Sequence, residues 1–171
     1  MILVLSLTAL NAVVYLIITN IYKIDPKKYA TKNKDRMQRM GFSLSLYLSA
    51  VWIMLIYEIA HNNVSMTMKF VFIAMGLLFA LIGNNMYNLQ PNYFAGIRVP
   101  WTLENGDNWK KTHHLAGRLW FFGGVFFAGF VLFLSNEWAG YVGFAILAVL
   151  VIIPIFYSYN LYTKQTKKTQ A

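Results

Sequence analysis

Five long apolar runs constrain this sequence more than any other feature. A helix needs about 20 residues to cross roughly 30 Å of hydrocarbon. Each run mixes Leu, Ile, Val, Phe and Met without the strict alternation of a barrel strand, so helices are expected. The sequence therefore predicts an all-α fold, a polytopic integral membrane helical bundle with about five transmembrane helices. The predicted spans are residues 2–22, 41–60, 70–89, 115–134 and 138–162.

The composition supports a membrane environment. With 58% hydrophobic and only 12% charged residues, the chain cannot cover an ordinary water-soluble surface. The net charge of +9 is gathered between the apolar runs, which favours contact with lipid head groups and argues against direct nucleic-acid binding. The first run is followed, not preceded, by basic residues, so we interpret it as a retained span. Residues 1–171 are interpreted as a single membrane domain.

The distribution of basic residues predicts the orientation. Of the 15 Lys and Arg residues, only Lys69 falls on the side opposite to the others. Cytoplasmic loops carry the excess of Lys and Arg, so the N-terminus is expected outside and the C-terminus inside. Residues 163–171 then form a basic cytoplasmic tail, and the long loop after the third span is also cytoplasmic.

That long loop, "QPNYFAGIRVPWTL", is predicted to be ordered. Pro91 and Pro100 each remove a backbone donor and disfavour helix at the preceding residue, and Gly96 adds freedom between them. Helix is expected to resume near Asp107, an acceptable N-cap. The loop should form a cap on the cytoplasmic end of the bundle, with Trp101 packed against helix ends or lipid.

Polar residues near this loop have competing interpretations. Arg118 lies inside the fourth span, where an ionisable group faces a partner or a polar cavity, or else snorkels to the interface. Asn84 and Asn85 suit hydrogen bonds between helices. The Trp residues equally fit an aromatic belt at head-group depth. We expect Arg98 and Arg118 to find acceptors among loop carbonyls and nearby polar side chains, which are Glu104, Asp107, Asn84 and Asn85.

Two adjacent histidines do not predict a metal site. On a helix, His113 shares a face with Trp109, whereas His114 shares a basic ridge with Lys110 and Arg118. The sequence has no HExxH motif, no cysteine, no GxSxG and no phosphate-binding Gly-rich loop. We therefore predict no catalytic residues, no metal and no cofactor.

Residues 83–117, "GNNMYNLQPNYFAGIRVPWTLENGDNWKKTHHLAG", resemble the signature of the SdpI family of bacterial immunity proteins. That signature has the form GN, then PNxFxGIRTPWTL, a Trp, and THRxxG. The earlier "KIDPKKYATKN" is similar to a basic element of the family, so the resemblance extends over about residues 23–124. Val99 replaces the usual Thr, and His114 replaces the usual basic residue. The chain resembles a short, five-span member.

The resemblance implies a function in the bacterial cytoplasmic membrane. It implies a non-enzymatic, multi-pass immunity protein that protects against a secreted SDP-type antimicrobial peptide toxin. The implied partners are the lipid bilayer, the peptide toxin and, if the protein also senses toxin, a cytoplasmic repressor protein held at the membrane. The candidate ligand-binding or functional-network residues are Asn84, Asn85, Asn92, Arg98, Trp101, Trp109, His113 and Arg118.

A rival hypothesis belongs to a different functional class. In a membrane enzyme or small transporter, four polar residues would converge on a cytoplasm-facing site for an anionic or lipid ligand. These residues are Asn85, Arg98, His113 and Arg118.

The predicted orientation can be measured by single-cysteine labelling, since the chain contains no cysteine. We expect an impermeant thiol reagent added to intact cells to modify Asn63→Cys and to leave Asn105→Cys unmodified. Labelling at position 105 but not at position 63 would show that the topology is inverted.

Overall fold

The computed structural model describes residues 2–24, 33–61 and 64–170, and all regular secondary structure in these ranges is helical. Lys27, Lys28, Lys32 and Asn63, which enter the orientation argument and its test, lie outside the described residues, as does residue 171. The helices are α1 (Ile2–Asn20, continued by a 3₁₀ turn Ile21–Ile24), α2 (Lys34–Ala60), α3 (Val64–Met86), α4 (Pro100–Glu104), α5 (Gly106–Phe130, continued by a 3₁₀ turn Val131–Phe133) and α6 (Asn136–Gln170).

Five of these helices are long and apolar enough to span a membrane, namely α1, α2, α3, α5 and α6. The predicted all-helical, five-span architecture is therefore confirmed. Four helices begin before the predicted apolar boundaries: α2 at Lys34, α3 at Val64, α5 at Gly106 and α6 at Asn136. The α-helices α1, α3 and α5 end a few residues before the predicted boundaries. Helical hydrogen bonding does not stop where the apolar run ends, and Lys, Arg and Gln are good helix formers.

The predicted start of α5 needs one correction. Asn105, not Asp107, is the N-cap, because its side-chain oxygen accepts hydrogen bonds from the amides of Asp107 and Asn108, both at 3.0 Å. Asp107 lies in the first helical turn, where its carboxylate accepts from Lys111 at 2.8 Å. A carboxylate at this position also interacts favourably with the positive end of the helix dipole.

The antiparallel pair α3 and α5 has the most extensive helix contact in the bundle, and α1–α2 and α5–α6 follow. Two pairs of glycines let the backbones of α3 and α5 touch. A Cβ atom at Gly76 would lie 2.7 Å from the carbonyl oxygen of Gly124, and one at Gly83 would lie 2.7 Å from that of Gly117. Small residues of this kind allow the close van der Waals packing that holds membrane helices together.

An indole from α5 compensates for the proline in α6. Pro154 lies inside α6 and lacks an N–H, so the carbonyl of Leu150 loses its helical donor. Nε1 of Trp120 donates a hydrogen bond to that carbonyl at 2.8 Å. Neighbouring helices commonly satisfy backbone groups that a proline leaves unpaired in a membrane helix.

The glycine contact gives a stability prediction. Gly83→Ala should destabilise the bundle by about 1–3 kcal/mol, because the new methyl group would press on rigid backbone of α5. Gly129→Ala is the matched control, since a Cβ atom at Gly129 meets nothing within 4 Å. Thermal unfolding in detergent should show a lower Tm for Gly83→Ala only. Equal Tm values for the two variants would contradict the close contact.

Candidate functional site

Residues 88–105, here called the cap, connect α3 to α5 and fold against the end of the bundle. Asn92 shapes the first part of the cap and is only 1% exposed. Its side-chain oxygen accepts from the amides of Phe94 and Ala95 at 2.9 and 2.7 Å, and its amide donates to the carbonyl of Gln90 at 2.9 Å. Asn side chains stabilise turns in this way because they substitute for backbone partners.

The cap is also joined to the start of α2. The buried Asn33 makes two reciprocal hydrogen bonds with the backbone of Gln90, one donated and one accepted, each 3.2 Å long. A side-chain amide presents a donor and an acceptor side by side, so it can pair with one residue's N–H and C=O. Asn33 therefore links the α1–α2 half of the bundle to the cap.

His113 of α5 joins the middle of the cap to the bundle. Its ring is fully buried, and Nε2 accepts from the amide of Ile97 at 3.0 Å. Nδ1 lies 2.8 Å from the carbonyl of Trp109, which can only accept. The ring is therefore the neutral tautomer with hydrogen on Nδ1. Gly96 makes this approach possible, because its φ is +102° and the His113 ring occupies the space that a Cβ would need.

Trp109 holds the start of the cap. Its Nε1 donates to the carbonyl of Leu89 at 2.7 Å, and its ring stacks on His113 with the centroids 3.9 Å apart. Trp109, Leu89 and Met37 form a buried apolar cluster between α5, the cap and α2. The two rings thus fix both the start and the middle of the cap.

Thr102 organises the second half of the cap. Its buried hydroxyl donates to the carbonyl of Ile97 at 2.8 Å and accepts from the amide of Val99 at 3.2 Å. Pro100 occupies the first turn of α4, where a missing N–H costs no helical hydrogen bond. The short helix α4 therefore starts at Pro100, and the preceding residue, Val99, is extended, as the sequence predicts.

Two residues attach the cap and α5 to α6 at the same point. Nε1 of Trp101 donates to the hydroxyl of Ser158 at 2.9 Å, and the side chain of Asn108 donates to the carbonyl of Ser158 at 2.9 Å. The hydroxyl of Thr112 donates to Asn108 at 3.0 Å. Ser158, Asn108 and Thr112 are fully buried. The cap is therefore bonded to α6 as well as to α5 and to Asn33 at the start of α2.

The structure brings Asn92, Trp101, Trp109 and His113 into this network and places the other predicted residues outside it. Asn84 and Asn85 line an open cleft that also contains Asp35 and Arg39 of α2, and Asn85 donates to the carbonyl of Leu81 in its own helix at 2.8 Å.

The two arginines also lie outside the network. Arg98 is exposed and donates to the carbonyl of Tyr93, so the expected loop-carbonyl acceptor is confirmed. The expected acceptors of Arg118 are wrong: its guanidinium donates at 3.0 Å to the hydroxyl of Tyr87, and the groove that Arg118 lines contains none of Asn84, Asn85, Glu104 and Asp107. Asn85 and Arg118 of the rival hypothesis line different cavities.

The expected division of the two histidine faces is confirmed. His113 is buried beside Trp109, whereas His114 is partly exposed and stacks on Tyr87 with the centroids 4.1 Å apart.

Sequence reasoning missed several members of the network, which are Asn33, Thr102, Asn108, Thr112 and Ser158. A signal was present for some of them. Asn108 and Thr112 are spaced i, i+4 on one helical face, and Ser158 is a hydroxyl inside an otherwise apolar run. In the network as a whole, the side chains bond mainly to backbone amides and carbonyls. That arrangement fixes the shape and position of the cap.

Comparison with known proteins places this region in a family. No curated protein and no solved structure matches the chain significantly. Residues 88–158 match the model of the SdpI/YfhL protein family. The matched segment starts and ends later than residues 23–124, over which the sequence resembles the family. It contains the whole cap, α5 and α6 as far as Ser158. Over residues 88–158, the chain is therefore similar to the SdpI/YfhL protein family.

Proposed function

We propose that this protein protects a bacterium against an SDP-type antimicrobial peptide toxin that acts on the cytoplasmic membrane. The SdpI family includes immunity proteins, and its members are in general not enzymes. One observation carries the proposal: the residues that match the family build the cap and two of the helices to which it is bonded, α5 and α6 as far as Ser158.

The spans offer a surface for a peptide that has entered the membrane. Large apolar side chains on several helices point outwards, including Phe126, Phe133, Tyr141 and Phe144. In a membrane, helices associate through van der Waals packing and interhelical hydrogen bonds. The toxin would therefore meet the protein within the bilayer, and the cap would hold the spans in a fixed relative position.

A finer part of the proposal concerns signalling. With the orientation expected from the basic residues, the cap faces the cytoplasm. A cytoplasmic repressor protein could then contact the exposed cap residues Tyr93, Arg98 and Glu104 and be held at the membrane when toxin is present.

The proposal is tested by expressing the chain in a toxin-sensitive bacterial strain and measuring survival against a dilution series of purified SDP-type peptide. The wild-type chain should raise the lethal dose at least several-fold over an empty vector. His113→Phe should lose most of this protection, because the amide of Ile97 then loses its acceptor.

His61→Phe is the matched control. His61 also contacts the carbonyl four residues earlier, that of Tyr57 at 2.7 Å, and its ring centroid lies 4.2 Å from that of Tyr57, but it is exposed and directly follows α2, outside the cap. This variant should protect like wild type. The absence of protection by wild-type protein that is inserted in the membrane would contradict the proposal. Full protection by His113→Phe would show that immunity does not depend on the cap.

A further inference from the structure

A basic edge on α5 is organised by a tyrosine from the end of α3. Lys110, His114 and Arg118 are spaced i, i+4 and i+8 on one face of α5. The Tyr87 ring stacks on His114 at 4.1 Å with only 6° between the ring planes. The Tyr87 hydroxyl accepts from Arg118 at 3.0 Å, and the guanidinium carbon lies 5.4 Å from the Tyr87 ring centroid. Tyr87 thus holds both side chains in place.

Arg118 has unused bonding capacity inside a helix that could span the membrane. It is exposed and lies about 18 Å along α5 from Gly106, at 1.5 Å per residue. A guanidinium has five N–H donors, and that of Arg118 donates to the neutral phenol of Tyr87. In the described part of the chain, no carboxylate forms an ion pair with it. An arginine at this depth needs an acceptor, and an anion is the strongest one.

An apolar groove runs between α5 and α6, with Arg118 near one end. It has a volume of about 520 Å³ and is lined, apart from Arg118, by apolar residues that include Leu119, Phe122 and Val149. From Arg118 to Phe126 it extends about 12 Å along α5, at 1.5 Å per residue. Half of the hydrocarbon thickness of a bilayer is about 15 Å. The groove is therefore long enough for most of one acyl chain in one leaflet.

We propose that Arg118 and His114 bind the phosphate of an anionic phospholipid whose acyl chain lies in the α5–α6 groove. The bilayer supplies this ligand directly, and a positive edge above an apolar groove is complementary to its negative head and apolar tail. Arg binds phosphate through paired N–H groups, and Lys110 adds attraction from the outer end of the edge. A second copy of the chain suits the groove less well, since it would bring the same net charge of +9. This inference is independent of the proposed immunity.

Native mass spectrometry of the purified full-length protein tests the site, with phosphatidylglycerol and phosphatidylcholine as probes. Phosphatidylglycerol should bind in preference, and Arg118→Gln should weaken its binding at least several-fold. Arg39→Gln is the matched control, because it removes the same charge from an exposed arginine that lines a different cleft on α2. Arg39→Gln should change phosphatidylglycerol binding by less than twofold.

A second variant tests the contribution of the groove at unchanged charge. Ala145→Phe fills the groove from α6 without changing any charge, and should also weaken phosphatidylglycerol binding. A phosphatidylglycerol with a photoreactive acyl chain should label residues 119–126 and 145–150. Equal losses in Arg118→Gln and Arg39→Gln, or labels spread evenly over all spans, would overturn the proposal. Cross-links between two copies at position 145 would assign the groove to a dimer instead.

Discussion

The hydrogen bond between the amide of Ile97 and the ring of His113 is the interaction on which the cap depends most. Polar backbone groups next to hydrocarbon need partners, and a loop cannot supply them from its own helical pattern. His113 accepts from the loop at 3.0 Å and donates to the carbonyl of Trp109 at 2.8 Å, so one neutral side chain serves the loop and the helix together. Gly96 is required beside it, because a side chain at that position would collide with the ring.

The cap in turn requires a close and fixed relation between the spans. The two glycine pairs bring α3 and α5 into backbone contact, which sets the distance that residues 88–105 must bridge. Trp120 and Trp101 then connect α6 to this pair, each through an indole N–H that meets a polar atom of α6. Indoles suit this role because they combine a large apolar area with one donor. Trp101 and Trp120, which would also fit an aromatic belt, thus donate specific hydrogen bonds to α6.

Much of this architecture could be predicted from the sequence, for reasons that differ between elements. The five spans follow from the length of the apolar runs, which depends on bilayer thickness alone. His113 and Trp109 could be predicted because helical spacing places them on one face and the family signature includes them. The partner of Arg118 could not be predicted, because the choice between Tyr87 and the two asparagines depends on the rotation of α3 about its own axis. Likewise, Asn33 pairs with Gln90 across more than fifty residues, and no local pattern predicts such a contact.

The central claim is that the cap is a hydrogen-bonded part of the membrane bundle, and amide hydrogen exchange at Ile97 tests it most directly. The account predicts that this loop amide exchanges as slowly as amides in the middle of α5 and far more slowly than the amide of the exposed Gly106 at the start of α5. The protection should disappear in His113→Phe while the amides within α3 stay protected. Exchange of Ile97 at the rate of Gly106 in the wild-type protein would contradict the account.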